Sequence, residues 1–285
     1  MSCPFGANET MSKAPDINPL AVPAATLKAL GWTCLRAERS SQPDVLIPLL
    51  TELRNETCVH TWRRHLPTSG PVTGTHCQTL LETENSLRPT EVFAYIATLP
   101  DGQEVIAAAG TVSDRIRGDF PFEGFPVAAR CYIRQAFRKH GLYRHILGHR
   151  LDHCVRRWGH ALKAVHLGSA NPKVWEAVAL HGGFALSFVH VGDEDLEVRG
   201  QVHRVPALMA FHPSFRSSVV AASQENGFDG EFRRTLEDVI EGRTDGSAWG
   251  RLRTLAEQQH SQSAGAYPTE LRELFALGDA IPLKR

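Results

Sequence analysis

No two of the six cysteines form a CxxC pair; Cys3, Cys34, Cys58, Cys77, Cys131 and Cys154 are scattered through 285 residues. Zinc sites and disulfide frames need clustered or recurring spacings, so these read as free thiols in a reducing compartment, with the cytoplasm the expected location. No stretch reaches the roughly 18 uninterrupted apolar residues of a membrane span, and no membrane role is expected. The opening MSCPFGANETMSKAPDINPL lacks the charged and then apolar run of a secretory signal. Lysine is scarce, six against 25 arginines, but the bias runs along the whole chain and marks no single site. Neither charge dominates, with 31 acids and 31 bases. That balance excludes a wholly basic nucleic-acid coat and leaves room only for a local basic patch. Tyrosine is scarce as well: the chain has four, none between residues 144 and 266.

Hydrophobic residues, 42% of the chain, suffice for a sizeable core. At about 150 residues per domain, the length fits one large domain with extensions or two small ones. Residues 1–30 are rich in Pro, Ala, Ser and Asn and read as a flexible arm. WTCLRAERS (32–40) alternates like a strand, and PDVLIPLLTELRNET (43–57) has helical spacing. EVFAYIATL (91–99) and QEVIAAAGTVS (103–113) are strands around a PDG turn. VAARCYIRQ (127–135) is the next strand. A long helix follows from Gly141 to Trp158, with Leu147, Leu151, Cys154, Val155 and Trp158 on one face. KAVHLGS (163–169) is a short buried strand, and NPKVWEAVALHGG (171–183) a helix with Pro172 in its first turn. FALSFVHV (184–191) and RVPALMAFHP (204–213) read as strands around an acidic loop, GDEDLE (192–197), which hints at a cationic acceptor. Beyond 214 come three short amphipathic segments. The order predicts an α/β (α+β) fold: a mixed sheet with few helices over 31–213 and a helical extension over 214–285. It is not the alternating pattern of a doubly wound nucleotide fold.

The stretch RKHGLYRHIL (138–147) carries the first chemical signal. The leading N–H groups of a helix have no intrahelical partners, and with the helix dipole they make an anion site. Gly141 lets the backbone approach an anion closely, and Arg138, Lys139 and Arg144 add charge. These residues alone leave two readings open, a plain basic helix start and a pyrophosphate cradle.

The wider stretch 132–184 resembles the core of the GCN5-related N-acetyltransferase superfamily. That family's V-x-P-x-Y-R-x-x-G-x-G pattern lies over Ile133, Phe137, Arg138, Gly141 and Tyr143. Its L-x-V-x-x-x-N lies over Val165, Leu167 and Asn171, and its helix-ending G-F over Gly183 and Phe184. The resemblance covers roughly residues 32–213. It implies a mostly antiparallel sheet flanked by helices, with acetyl-CoA or another acyl-CoA as co-substrate. Arg138, Lys139, His140, Gly141, Leu142, Tyr143 and Arg144 would hold its pyrophosphate. The backbone of Cys131, Tyr132 and Ile133 would pair with the pantetheine arm, and Asn171 would contact the cofactor or steady the following helix. Strands 127–135 and 163–169 would splay to admit the arm, and a small-molecule or peptide amine would enter from the other side.

Two positions depart from the family pattern. Its second glycine is Tyr143 here, a side chain expected near the cofactor. Its usual tyrosine acid falls on Ala179. Ser169, His181 or water is then the candidate acid, and a chain that binds without transfer stays open. Candidate bases are Glu82, Glu84, Asp114, Glu123 and His166. His145, His149 and His153, at i, i+4 and i+8, share one face; it lies opposite the leucine stripe and reads as exposed, with no second element to complete a metal site. Eight basic residues and one acid lie between 130 and 160. A nucleic-acid role for them is disfavoured by the neutral chain and sparse aromatics. The tail could cover the sheet, close over the acceptor pocket or make a homodimer contact.

Overall fold

Residues Phe93, Tyr95 and Ala97 point to one face of their strand, and Val92, Ala94 and Ile96 to the other; both sets are buried. A strand apolar on two faces needs cover on both. That requirement organises the molecule. The computed structural model describes residues 17–40, 47–59, 71, 73–78, 90–113, 125–168, 172–179, 181, 183–198, 201–243, 247–260 and 267–280.

In chain order the strands are β1 (Ile17–Pro19), β2 (Cys34–Ser40), β3 (Thr57–Val59), β4 (Thr90–Thr98), β5 (Glu104–Ser113), β6 (Val127–Ile133), β7 (Ala164–Gly168), β8 (Ala185–Val198) and β9 (Gln201–Phe211). They form one nine-stranded sheet in the order β1-β2-β4-β5-β6-β7-β9-β8-β3. Only β6 and β7 run parallel among the described strands. The helices interspersed with them are α1 (Ala24–Leu30), α2 (Ile47–Glu56), α3 (Leu142–Trp158) and α4 (Pro172–Ala179). After β9 come α5 (Pro213–Glu225), α6 (Gly230–Ile240), α7 (Ser247–His260) and α8 (Thr269–Ala280). This is the mixed, mostly antiparallel sheet flanked by helices that the sequence resemblance implies.

Helix α3 packs Leu142, Ile146, Leu147, Leu151 and Cys154 against Phe93, Tyr95, Ala107 and Ala128. On the opposite face Leu49 and Leu50 of α2, with Cys77, cover Val92, Ala94, Ile96, Ala109 and Tyr132. The small residues of β5, Ala107 to Gly110, let both layers come close. A third cluster is built by α5–α8. Phe215, Phe232, Leu236, Trp249, Leu252, Leu271 and Leu274 pack there against Ala164 of β7 and Met209 and Phe211 of β9.

Several sequence expectations need correction. The flexible arm expected over 1–30 belongs to the sheet from Ile17 onward: β1 pairs with β2, and Leu20, Val22, Leu27 and Leu30 pack on the core. Its helix has a legible signal in PAATLKALG, with Pro23 at the N-cap and Gly31 closing the end at φ +71°. The acidic stretch 192–197 is not a loop. It lies within β8, where Asp195 stands opposite Arg204 and Glu197 opposite Val202 after a bulge that begins past Val191. The strand expected to run to 213 ends at Phe211. His212 caps a further helix, α5, by accepting the Ser214 N–H on Nδ1 at 3.3 Å. The tail therefore has four helices where three segments were expected.

Candidate functional site

Strand β6 carries one residue too many for its neighbour. Ala109 pairs with Tyr132 and Thr111 with Ala129, so Gly110 alone faces both Arg130 and Cys131. Such a bulge bends the strand that contains it. On its other side β6 meets β7 at one register pair, Val127 with His166, backed by the His166 N–H to Pro126 carbonyl bond at 2.9 Å. Past that point β6 runs on through Cys131, Tyr132 and Ile133 beside β5 while its pairing with β7 ceases. Among the described residues the one parallel pair thus closes at His166 and leaves β6 unpaired on that side beyond it: a V with a strand edge along the β6 arm.

The chain turns at the open end of the V. A short 3₁₀ turn, Gln135–Phe137, follows the strand, which ends at Ile133 and not at 135. Two residues then take left-handed backbone, Lys139 at φ +70° and Gly141 at φ +75°. Among the described residues Lys139 is the one non-glycine with positive φ, an unfavourable state for a side chain that long. Gly141 is the N-cap of α3, and no side chain caps the helix there. It is exposed, and nothing lies within 4 Å of where its Cβ would be. Backbone N–H groups at this helix start therefore face an open approach, the arrangement that receives anions. Arg138 braces the turn: its Nε donates to the Ile133 carbonyl at 2.8 Å, and its guanidinium lies 5.2 Å from the Tyr132 ring centroid.

Beneath the bulge lies a charge. Arg150 is 1% exposed and occupies the middle of the buried face of α3, on the 142–146–150–154 row. The missing Cβ of Gly110 makes its room; an added Cβ would stand 3.1 Å from Arg150 Cδ and 3.3 Å from Nε. Burial alone would lower the Arg150 pKa, but the nearby Cys131 thiol and the hydroxyls of Tyr143 and Tyr95 more than offset it and hold the side chain charged. Burial pushes the neighbouring Tyr143 phenol up to about 12, with Arg150 acting the other way. Gly110→Val should therefore overpack this point and cost roughly 1–3 kcal/mol, read as a shift in the denaturant midpoint. A midpoint unchanged from the parent would mean Arg150 has slack the geometry does not display.

Tyr143 was expected at the cofactor. Its ring instead packs on the core beneath α3, because position 143 lies beside the buried row. The three-histidine face also turns out differently. His149 is 8% exposed; its Nδ1 lies 3.2 Å from the Tyr95 hydroxyl, and Phe93 stands edge-on at 5.1 Å. His153 pairs with Glu91, which also binds Arg157 at 2.6 Å and Arg39 at 2.9 Å. Burial works to raise the Glu91 pKa, but the His153 hydrogen bond and these cations bring it below the ordinary carboxylate value. The face is buried at His149 and partly covered at His145 and His153, because the helix lies broadside on the sheet and its covered face is wider than the leucine stripe. Among the described residues no cluster of His, Cys, Asp and Glu could hold a metal.

His166 sits at the closed end of the V. His181, a candidate acid, is placed elsewhere: its Nε2 lies 3.0 Å from the Asp152 carboxylate of α3, and its ring fills the space left by Gly148. It ties the bend after α4 to α3. Ser169, Asn171, Glu82, Glu84, Asp114 and Glu123 lie outside the described residues. Ala179 is the last residue of α4. Arg150 and the bulge were not foreseen; the AAAG run of β5, small residues amid a strand, was the available sign that something large lies over it.

No family model matches the chain, and no curated protein matches it in sequence. Solved structures do. It is similar to a spermidine N-acetyltransferase from Vibrio cholerae in complex with CoA and spermine, at 13% identity and a TM-score of 0.44, over 62% of this chain and 95% of that one. It is similar also to a probable acetyltransferase of the GNAT family from Chromobacterium violaceum, at 14% identity and a TM-score of 0.40, over 74% and 94%. A GCN5-related N-acetyltransferase from Kribbella flavida matches at 13% identity and 0.40, over 61% and 95%. The likeness is one of fold.

Proposed function

We propose that the chain is an acyl-CoA-dependent N-acyltransferase, with acetyl the group transferred and an amine the acceptor. The observation that carries this reading is the V between β6 and β7 with an open, uncapped helix start at its mouth. An unpaired strand edge leading to an open helix start suits an extended ligand with an anionic end. Residues 138–144 would take the pyrophosphate, chiefly through backbone N–H groups. The edge of Cys131, Tyr132 and Ile133 would pair with the pantetheine arm as an added strand. Acetyl-CoA supplies an activated thioester. The neutral amine attacks its carbonyl, the C–N bond forms as the C–S bond breaks, and the proton that the nitrogen loses ends on the departing thiolate. His166, at the closed end, is the described residue of the proposed acid–base set that the fold brings to this V.

The acceptor is an amine of small-molecule or peptide type. The free thiols at Cys34, Cys77, Cys131 and Cys154 accord with a reducing compartment, and the cytoplasm is the proposed location. No helix among the described residues is long and apolar enough to cross a membrane. A second reading, binding without transfer, is favoured by Ala179 where the family carries its tyrosine acid. A positioned acid contributes roughly 10²–10⁴-fold, and a thiolate with a parent pKa of about 8.5 needs less help than an alkoxide. Slow turnover is therefore expected rather than none.

The test is a calorimetric titration with acetyl-CoA against the parent and the Arg138→Glu/Gly141→Asp double variant. Saturable binding in the parent and its loss in the variant is expected. Equal heats would sink the cradle, and no saturation in the parent, with longer acyl-CoAs also silent, would sink the transferase. Turnover with a panel of amines then separates transfer from binding alone.

A further inference from the structure

The V and the anion turn are two separate pieces of backbone, and a ligand spanning both needs them held at a fixed offset. One side chain touches the surroundings of each. Arg150 follows Tyr143 by seven residues, two helical turns, so the two share one face of α3, and Tyr143 belongs to the first turn beside Gly141. The Arg150 guanidinium lies against Gly110, the residue that faces the bulge, and has the bulge residue Cys131 and the β4 residue Tyr95 among its electrostatic neighbours. It is buried almost completely in a layer where an apolar residue is the ordinary choice, as at Leu142, Ile146 and Cys154 on the same row. A residue chosen for packing alone would not be charged, since burying a guanidinium costs more than burying an isosteric apolar group. Gly110 is the matching concession on the sheet side.

We infer that Arg150 is a positioning residue for the proposed acyl-CoA site: it locks the first turn of α3, through Tyr143, to the β6 bulge opposite Gly110, and so fixes the anion turn relative to the open strand edge. The inference rests on the acyl-CoA reading for its ligand, but the coupling itself belongs to the free protein. The arginine makes no contact with the ligand and transfers no proton. Its planar guanidinium stands between helix and sheet, a shape that a compact ammonium matches only in part.

The experiment compares the parent with Arg150→Met, Arg150→Lys and Tyr143→Phe. Each is read two ways: the acetyl-CoA dissociation constant by calorimetry, and backbone hydrogen exchange of the ligand-free protein at residues 131–133 and 139–143. Arg150→Met should weaken acetyl-CoA about tenfold or more, Tyr143→Phe by a few-fold, and the double change by less than the product of the two, as for groups acting through one contact. Arg150→Lys should recover part of the affinity. Exchange should quicken at both segments together in Arg150→Met, while the helices α6 and α7 keep their protection. Dissociation constants within twofold of the parent for both Arg150→Met and Tyr143→Phe would overturn the inference. So would independent, multiplicative effects. Should Arg150→Met fail to fold, Tyr143→Phe still decides, because it removes only a hydroxyl. A parent that binds no acyl-CoA refutes the proposed function. In that case joint quickening at the two segments upholds the coupling, and separate behaviour ends it.

Discussion

Replacing Phe232 by alanine is expected to cost about 3–5 kcal/mol of folding stability and to lower the melting temperature by roughly 10 °C, within one transition. The ring is 0% exposed and stacks on Phe228 with centroids 4.2 Å apart. It sits among Leu236, Val239, Ile240, Trp249 and Leu252, in a layer that has no room to collapse around a smaller side chain. The helix start is separately secured, since Asp229 Oδ1 accepts the Phe232 N–H at 2.8 Å, so the loss is one of packing. One transition is expected because Ala164, Met209 and Phe211 belong to the cluster and to the sheet alike. Scanning calorimetry checks both points. A variant whose heat absorption splits into two peaks would make the C-terminal helices a separate cooperative unit, with a boundary near residue 213.

Acid should destabilise the protein well before its carboxylates titrate, and His149 should be the main cause. Burial pushes this imidazole down to about 4, with the charges of Arg156, His153 and Arg150 acting the same way. The unfolded chain therefore takes up the proton near pH 6.5 while the folded one resists it. The contribution is complete above about pH 6.5 and is lost as pH falls toward about 4, at no more than about 1.4 kcal/mol per pH unit. Between about pH 7 and about pH 5, the stability advantage of the parent over His149→Leu should shrink by about 1.5 kcal/mol. Urea midpoints at the two pH values measure it. In the variant Tyr95 keeps its bond to the Ile146 carbonyl at 3.3 Å, which limits side effects. A constant difference across that range would show that His149 titrates as a free imidazole. Glu91 adds a loss of the same sign at lower pH, because its depressed pKa also favours the folded state only while it is ionised.

These two residues show where the sequence was legible and where it was not. Strands β4 to β7 are readable because alternation, the PDG turn and short apolar runs all agree, and the turn into α3 because a basic run meets a glycine at a helix start. The orientation of α3 was harder. Its covered face has Arg150 at the centre and His149 at one side, so a search for apolar residues follows the stripe from Leu147 through Leu151 to Trp158 and sets the helix off by a fraction of a turn. That error carried the histidines to the wrong side. The bulge left no mark of its own in β6; only the register against β5 reveals it. In GDEDLE, charge density suggested a loop, yet a long hairpin can hold such residues where pairing partners such as Arg204 lie across from them. For Ser169, Asn171 and the upstream carboxylates the fold gives no placement beyond what spacing suggests.

The two ends of the sheet carry a consequence of another kind. A broad β-sheet is exposed to sideways recruitment of other chains, since each outer strand offers unsatisfied backbone groups to any extended neighbour. Here the outermost strands are β1 and β3, each three residues long, and β1 ends in a proline. Three residues offer too few groups for a foreign strand to register against, and Pro19 has no N–H to give. At the β3 margin, however, the stub meets β8 only at Leu196–Val198, and the β8 edge from Ala185 to Asp195 has no neighbour among the described residues; that stretch is where a foreign strand has room to register.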